Sequence, residues 1–341
     1  MVKGNSQKTV IAVDAMGGDH APGEIVKGAI ESLVENNIKI VLVGDAGKIE
    51  ESLESHGYSG DDIEIIQSVG VIEESEQPAL ALRKNPKASV AISVGLVSKG
   101  YADAVVSMGS TGALMTSAFF GLGMIEGIDR PVLGGPFLGY APNMICLDMG
   151  INIDAKPRQY LNFAAIGTAM SRTYLGIKDP TVGLLNVGTE PSKGSKQVKE
   201  AYQYLESSKF NFIGNIEAHE MVNGKADIIL CDGFVGNILL KYSEGLALLI
   251  SEDLRKTLSV SMDKHAAEDI ANNVFRKISV LDNSGGPILG INGVAIVGHG
   301  RGKSDMVKGV IKSATDMHER RVLTAIHDEI SRIQISPSLD D

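Results

Sequence analysis

Glycine-rich segments that also carry polar or charged residues follow six of the predicted strands. Backbone N–H groups in glycine turns and at helix N-termini bind anions, and small polar side chains can add hydrogen bonds. GSTGA at 109–113 opens a predicted helix and is the strongest candidate for holding a phosphate. The six segments begin at Asp14, Ser107, Asp148, Asn186, Asp232 and Gly298.

Several sharper motifs are absent. A P-loop ending at Gly302-Lys303-Ser304 would need glycine at position 297, which is Val297. No G-x-S-x-G nucleophile elbow occurs, and seven scattered His with two Cys lack the spacing of a metal site. Cys231 follows a buried strand, where a free cysteine more often packs than reacts. The residues therefore indicate anion binding without a metal or a cysteine or serine nucleophile.

Continuously apolar strands that alternate with helices must position these segments. Such strands are typical of a mostly parallel sheet covered on both faces, which predicts a three-layer α/β/α fold. Ligands of such sheets bind at the carboxyl ends of the strands, where the six segments lie. We predict strands at 9–15, 39–44, 62–67, 103–107, 144–149, 181–187, 226–231 and 294–297, and helices at 22–35, 48–56, 87–99, 111–125, 157–175, 196–207, 235–258 and 304–333.

Length and composition favour a large globular protein. The chain has 341 residues, of which 43% are hydrophobic and 22% charged, so it can bury a core. We predict one α/β/α domain with two lobes at 1–335, a possible amphipathic hairpin at about 246–280 and a frayed tail at 336–341. A formal charge of −10 argues against nucleic acid as a partner, and two cysteines fit a reducing cytoplasm.

Several motifs together resemble one family. The run VIAVDAMGGDHAP (10–22) resembles the opening signature of the PlsX family, the phosphate acyltransferases of bacterial phospholipid synthesis. The resemblance continues through STGAL (110–114), DRP (129–131), LLNVGTE (184–190), GN-x-E (214–217), CDGFVGN (231–237) and GHG (298–300). The chain departs from the family at several points. Ser110 stands where the family usually has Asn, and Ile151 where it favours Ala. Pro191 interrupts a stretch that is usually polar, and the stretch after His299 is slightly longer than usual.

The resemblance implies a reaction and its setting. An acyl group passes from acyl-[acyl carrier protein] to inorganic phosphate, giving acyl phosphate, without a metal or organic cofactor. It further implies a Rossmann-like fold akin to isocitrate dehydrogenase and a homodimer. The protein would be cytoplasmic and peripherally membrane-associated, beside a downstream membrane acyltransferase.

Lys193 and Asn237 are the candidate catalytic residues for that reaction. Lys193 could offset the developing oxyanion, and Asn237 could orient the oxyanion or the phosphate. Carboxylates among the other candidates would orient donors such as His20 rather than face phosphate. The residues expected to bind substrate are Asp14, Gly17, Gly18, Asp19, His20, Gly109, Ser110, Thr111, Gly112, Asp148, Asn152, Asn186, Thr189, Glu190, Asp232, Gly233 and His299.

An acidic carrier protein needs a basic patch on this acidic chain. The densest basic segment beside an apolar helical stripe supplies the candidates for docking carrier protein or anionic lipid. They are Arg255, Lys256, Lys264, Arg276 and Lys277.

Two other functions stay open at this point. One is a phosphotransacetylase-like enzyme that uses acyl-coenzyme A, and the other is a non-catalytic phosphate-binding scaffold at the membrane. Activity with each donor, or its absence, distinguishes the three.

Overall fold

The computed structural model describes residues 8–279 and 285–334. The predicted tail at 336–341 and the end of the predicted hairpin, position 280, lie outside the described residues. Within them the chain forms two compact units, the first at 8–124 and 285–323 and the second at 125–279 and 324–334.

The elements alternate along most of the chain. The strands are β1 Thr9–Asp14, β2 Ile38–Gly44, β3 Ile63–Gln67, β4 Ala104–Ser107, β5 Val132–Leu138, β6 Ala141–Leu147, β7 Thr181–Leu185, β8 Asn211–Ile216, β9 Ile228–Leu230, β10 Gly286–Leu289 and β11 Val294–Val297. The helices are α1 Gly23–Glu35, α2 Ala46–Ser55, α3 Pro78–Lys84, α4 Ser89–Ser98, α5 Thr111–Leu122, α6 Gln159–Tyr174, α7 Lys196–Glu206, α8 Ala218–Met221, α9 Gly233–Leu258, α10 Lys264–Ile278, α11 Ser304–Glu319 and α12 Val322–Gln334.

Unit 1 is built on a mostly parallel sheet with the strand order β3-β2-β1-β4-β11-β10. Only β10 runs antiparallel, against β11. Helices α1 and α11 pack together beside this sheet, while α4 contacts β1, β2 and β4 and packs with α5. The register places Asp14 beside Ser107, and Ser107 beside Val297, so three strand ends meet at one edge. That edge carries the first, fourth and last glycine segments.

Unit 2 is built on a second mostly parallel sheet with the order β5-β6-β9-β7-β8. Strands β6, β9, β7 and β8 are parallel, and β5 is antiparallel to β6. Helix α6 packs on β6 and β9, and its side chains Tyr160 and Phe163 are among the largest fully buried ones. The three polar segments after β6, β7 and β9 therefore leave one edge of this sheet. The mostly parallel α/β fold is confirmed.

Three strands were missed by the sequence prediction. β5 reads VLGGPFL, and its two glycines and proline hide the strand pattern. Gly134 is needed there, because a Cβ at this position would lie 2.1 Å from the Cys146 carbonyl oxygen. β8, with Asn at both 211 and 215, and β10, with only four residues, give similarly weak signals.

The single long helix predicted at 304–333 is wrong. The structure divides it into α11 and α12, and Arg321 between them has φ 55°, outside the helical region. The apolar stripe on both sides of this break has helical spacing, so periodicity alone did not reveal the turn.

Two segments are long and apolar enough to consider as membrane spans. Positions 104–125 form β4, a turn and α5, as the glycines at 109 and 112 predicted. Helix α9 meets the requirement for a span by length and composition only, a test that core helices of soluble proteins also pass.

Candidate functional site

Asp14 holds the strand ends of unit 1 together. Its carboxylate accepts hydrogen bonds from the Ser107 hydroxyl at 2.7 Å and the Met16 N–H at 3.2 Å. The Ser107 hydroxyl in turn accepts from the Gly109 N–H at 3.0 Å. Asp14 is buried, and burial raises the pKa of its carboxyl above the usual range, against the effect of its hydrogen bonds. Asp14 therefore orders two glycine segments rather than facing solvent.

Glycine allows the first and fourth segments to approach each other closely. A Cβ on Gly17 would lie 2.7 Å from both the Asp14 Oδ2 and the Gly109 nitrogen. Gly18 has φ 98°, a backbone conformation that favours glycine. These two positions therefore need glycine for the packing of the loops themselves.

The first and last segments of unit 1 also meet. The Asp19 N–H donates to the Gly300 carbonyl at 2.8 Å, and His20 is exposed beside it in the chain. His299 is partly buried in the same GHG segment. Sequence reasoning missed Glu24, whose carboxylate accepts from the Ser304 N–H at 2.8 Å, and this hydrogen bond lowers the pKa of Glu24.

The N-terminus of α5 has the predicted strand–turn–helix form. Ser110 is the N-cap, and its hydroxyl accepts from the Ala113 N–H at 3.4 Å. Since Ser and Asn are comparable N-caps, the departure at position 110 preserves this role. Thr111 is exposed. Gly112 serves packing, because a Cβ there would lie 2.9 Å from Pro78 at the start of α3.

In unit 2, Asp148 organises the segment after β6. Its buried carboxylate accepts N–H bonds from Leu133 and Gly150 at 3.1 Å, from Ile151 at 3.2 Å and from Asn152 at 2.7 Å. The Asn152 side chain donates to it at 2.7 Å as well. Burial nevertheless raises the pKa of Asp148. Like the Asp14 carboxylate, the Asp148 carboxylate accepts hydrogen bonds from protein groups and orders the loop that donates them.

The N-terminus of α9 packs directly on that segment. A Cβ on Gly236 would lie 1.8 Å from the Asp148 carbonyl oxygen, and one on Gly233 would lie 2.8 Å from the Asn152 nitrogen. Asp232 caps the helix by accepting from the Val235 N–H at 2.8 Å. Asn237 is exposed one turn later, and a Cβ on Gly150 would lie 3.5 Å from its side chain.

Lys193 lies on a closed loop after β7. The Asn186 side chain donates to the Lys193 carbonyl at 3.1 Å and accepts from the Val187 N–H at 2.8 Å. The Lys193 ammonium is about half exposed and lies 3.9 Å from the Glu190 carboxylate. Thr189 is exposed on the same loop. Since β7 and β9 are neighbouring parallel strands, this loop and the start of α9 leave the same edge of the sheet.

Asn215 is a supporting residue that the sequence analysis did not assign. It is buried at the end of β8, and its side chain donates to the Glu190 carbonyl at 2.8 Å. Its side-chain oxygen finds no hydrogen-bond partner among the described residues. Asn215 belongs to the motif GN-x-E, but no pattern in the sequence indicated that this motif contacts the loop after β7.

The cysteines of unit 2 are buried side by side. A hydrogen bond with Cys146 and burial raise the pKa of the Cys231 thiol well above its usual range. The Cys231 thiol also lies 3.3 Å from the Asp148 carbonyl. Cys231 is therefore a packing residue, as its sequence context indicated.

Within the described ranges, no group of three or more His, Cys, Asp or Glu side chains could hold a metal ion.

The basic residues predicted for docking lie on the α9–α10 hairpin, but they are not equivalent. Arg255 joins the two helices, since its guanidinium lies 2.9 Å from Glu268 and 2.8 Å from Asn272. Lys277 lies over the Tyr140 ring, 5.5 Å from its centroid. Lys256, Lys264 and Arg276 are exposed.

A cavity of about 880 Å³ lies elsewhere in unit 2. Asp179 and Asn211 place it at the amino ends of β7 and β8, the edge opposite Lys193 and Asn237. Two of its cations, Arg172 and Arg332, pair with Glu329. Because parallel α/β sheets bind ligands at their carboxyl edge, we place the candidate site with the polar segments and not in this cavity.

Comparison with known proteins connects this geometry to a family. The family model described as "Fatty acid synthesis protein" matches residues 9–325. The phosphate acyltransferase of Trichodesmium erythraeum (strain IMS101) is 40% identical over 328 residues, covering 94% of this chain and 96% of the relative. This chain belongs to the PlsX family of phosphate acyltransferases. The phosphate acyltransferase of Heliobacterium modesticaldum (strain ATCC 51547 / Ice1) is likewise 40% identical, over 94% of this chain and 97% of the relative.

Membership confirms the resemblance drawn from the sequence motifs and makes the protein an acyltransferase.

Solved structures share the fold at low identity. A phosphotransacetylase from Streptococcus pyogenes has a TM-score of 0.58 and 18% identity, with 96% of this chain and 95% of that chain covered. A putative 4-hydroxythreonine-4-phosphate dehydrogenase from Salmonella typhimurium has a TM-score of 0.53 and 13% identity, with 92% and 100% covered. The same fold therefore occurs in proteins named for different reactions.

Proposed function

We propose that this phosphate acyltransferase uses acyl-[acyl carrier protein] as its acyl donor and inorganic phosphate as its acceptor. The observation that carries the proposal is the pairing of family membership with Lys193 and Asn237 on neighbouring strand ends of unit 2. A cation and an amide at such an edge suit a reaction that develops negative charge on a carbonyl oxygen.

The chemistry is an acyl transfer between sulfur and oxygen. A phosphate oxygen forms a bond to the thioester carbonyl carbon, and the resulting oxyanion collapses with cleavage of the C–S bond. The carrier leaves as a thiolate and acyl phosphate remains. Since a thiol has an ordinary pKa of about 8.5, the thiolate leaves without a strong general acid.

The residues take separate roles in this proposal. Lys193 and Asn237 stabilise the oxyanion, and one such donor contributes about 2.7–4 kcal/mol. The α5 N-terminus, with Ser110 and Thr111, binds an anion through backbone N–H groups. Asp14, Asp148 and Asp232 hold these segments in place, which the hydrogen bonds to their carboxylates support.

The test is formation of acyl phosphate by the purified protein. Acyl-[acyl carrier protein] and phosphate should give a product that hydroxylamine traps as a hydroxamate. The parallel reaction with acyl-coenzyme A tests the alternative donor, and a faster reaction with that donor contradicts the proposal. No hydroxamate with either donor would favour a non-catalytic phosphate-binding scaffold.

We also propose a cytoplasmic protein that associates peripherally with the membrane. The turn between α9 and α10 supports this, because it exposes Val260 and Met262 between the exposed Lys256 and Lys264. Apolar and basic side chains together bind anionic lipid surfaces. Flotation with anionic and with neutral vesicles tests the association. The acyl phosphate product, a reactive mixed anhydride, would pass at the membrane surface to a downstream membrane acyltransferase.

A homodimer is the last element of the proposal. The family resemblance supports it, and light scattering of the purified protein tests it. A mass of one chain at working concentration contradicts it.

A further inference from the structure

The cavity of about 880 Å³ in unit 2 has the size of a small-molecule site, since ligand pockets measure about 300–1,000 Å³. Its described lining residues all belong to unit 2, between 127 and 211 and between 329 and 333. The proposed acyl transfer does not use this cavity, because Lys193 and Asn237 lie at the opposite edge of the sheet. The cavity is therefore available for a different ligand.

The cavity is cationic although the chain is acidic. Among the described residues that line it, five are Lys or Arg and three are Asp or Glu, whereas the whole chain carries a formal charge of −10. A local excess of cations favours an anionic ligand. The five are Lys156, Arg158, Arg172, Lys209 and Arg332.

A buried carboxylate holds two of these cations side by side. Glu329 is 8% exposed, and its Oε1 accepts hydrogen bonds from both the Arg172 and the Arg332 guanidinium. The Arg172 Nε also donates to the Lys178 carbonyl at 2.9 Å. Since a guanidinium has five N–H groups, both arginines keep further donors, and the three side chains keep a net positive charge. Two guanidiniums fixed in this way suit the oxygens of a phosphate.

Thr168 adds a buried hydroxyl that lacks a partner. It lies on α6, lines the cavity and is 3% exposed, and its hydroxyl makes no hydrogen bond to any described residue. A helical threonine can donate to the carbonyl four residues earlier, as Thr173 does to Ala169 at 2.7 Å. An unpaired buried hydroxyl costs free energy, and a ligand oxygen in the cavity would remove that cost. Thr168 also lies one turn before Arg172, on the same face of α6.

Two aromatic side chains line the same cavity. Tyr204 near the end of α7 and Phe210 just before β8 are both half-buried, and neither ring packs against another ring among the described residues. Aromatic faces stack on nucleic-acid bases with little dependence on the base. Lys209, the residue before Phe210, is one of the lining cations. The cavity therefore offers both a surface for a planar ring and cations for phosphate groups.

We propose that this cavity binds a nucleotide as a second, non-catalytic site. The phosphates contact the guanidiniums of Arg172 and Arg332. The base stacks on Tyr204 or Phe210, and the Thr168 hydroxyl donates to a ligand oxygen. The inference does not depend on which acyl donor the enzyme uses.

Isothermal titration calorimetry with ADP tests the cations. The double variant Lys209→Gln/Arg332→Gln should raise the Kd at least about tenfold, because two charged donors are lost. Both side chains are exposed, and Arg172 still pairs with the buried Glu329, so the fold should be preserved. The matched control is Lys199→Gln, an exposed lysine of α7 outside the cavity, which should leave the Kd unchanged. An unchanged Kd in the double variant, or no saturable binding by the wild type, overturns the proposal.

Thr168→Val separates binding from folding. Valine keeps the shape of the side chain but removes the hydroxyl, so the Kd for ADP should rise about 3- to 10-fold. The melting temperature of the free protein should not fall, because the hydroxyl lost has no partner among the described residues. An unchanged Kd contradicts the placement of the ligand at Thr168, whatever the melting temperature.

Photolabelling with 8-azido-ADP locates the ligand without turnover. Label on 204–211 or on α6 supports the proposal, even if the protein makes no acyl phosphate. Label confined to 109–113 or 186–194 would place the nucleotide at the strand-end segments and make the proposal wrong. Displacement of ADP by palmitate but not by pyrophosphate would identify a pocket for an acyl chain, which also overturns it.

Discussion

Lys193 is held by its backbone, while its ammonium is left half exposed. Asn186 fixes the loop, and the 3.9 Å separation from Glu190 is a weak, solvent-screened ion pair. Such a lysine can turn toward a substrate without breaking a buried interaction. This geometry suits the catalytic role that we propose for Lys193.

Replacing Lys193 with Ala should lower kcat about 10²–10³-fold, because one oxyanion donor is removed. Circular dichroism and the melting temperature should match the wild type, since the ammonium is not buried. Lys196→Ala, which removes an exposed lysine three residues later, is the matched control. Turnover of folded Lys193→Ala within about twofold of the wild type would show that Lys193 is not catalytic.

The buried Asp14 predicts a pH dependence of stability. Burial raises the pKa of Asp14 in the folded state above its ordinary value of 3.8, so Asp14 keeps its proton in the folded protein at pH values where it has lost it in the unfolded chain. The contribution of Asp14 to the free energy of unfolding therefore falls as pH rises from 3.8 through the folded-state pKa. Asp14→Asn cannot titrate and should show a shallower fall. Asp148 titrates in the same direction, so the slope should decrease rather than vanish.

Urea unfolding at several pH values, for the wild type and Asp14→Asn, measures that slope. An unchanged slope would mean that Asp14 does not titrate differently in the two states.

At the scale of elements, each unit carries a capped helix N-terminus at the end of a strand, α5 in unit 1 and α9 in unit 2. α5 and α9 both begin with a side-chain cap, Ser110 and Asp232, and both use glycine in the first turn to approach a neighbour. The neighbour of Gly112 is Pro78. We predict that a valine at Gly112 raises KM for phosphate, but it would also displace α3.

The N-cap of α5 gives a cleaner test. Ser110→Asn, which places the usual family residue here, should preserve stability, because both side chains cap helices well. Ser110→Ala should lower the free energy of unfolding by about 1 kcal/mol. Urea unfolding measures both variants. Equal stability of the two would show that the long 3.4 Å bond from Ala113 contributes nothing.

At the scale of the whole molecule, net charge opposes the proposed encounter. The chain carries −10, and an acidic carrier protein needs a local basic surface to approach it. The Arg255 guanidinium donates hydrogen bonds to Glu268 and Asn272 within the α9–α10 hairpin, so reversing the charge at position 255 would disturb the hairpin itself. Lys256 and Lys264 are better targets.

Lys256→Glu/Lys264→Glu should lower kcat/KM for acyl-[acyl carrier protein] at low salt, mainly through slower association. Added salt should shrink the difference, because exposed charges are screened beyond about 8 Å at physiological ionic strength. Kinetics at two salt concentrations measure the effect, with a small thioester as the control substrate. Equal values at low salt would place docking elsewhere, and Arg83, Lys84 and Lys87 are the next candidates.

The sequence alone determined the alternation of strands and helices and the segments that carry chemistry. Short β-branched apolar runs such as IKIVLVG of β2 indicate buried strands. The glycine-rich segments after such strands indicate a binding site, because ligands of parallel α/β sheets bind at strand ends. The motif set was specific enough to identify the family. Local pattern also predicted the turn between β4 and α5, where Gly109 and Gly112 interrupt an uncharged stretch.

Only the tertiary structure decided what each polar residue does. Asp14 and Asp148 were among the residues expected to bind substrate, yet each carboxylate accepts hydrogen bonds from its own loop and from another segment, through Ser107 and Leu133 respectively. Asn215 supports the Lys193 loop only because β8 lies beside β7. Contacts between distant segments also decide which face of α9 is buried. The spacing of its apolar residues indicated a stripe, but the buried face depends on where Gly233 and Gly236 meet the segment around Asp148. Hydrogen bonds and burial between distant residues carry no local sequence signal.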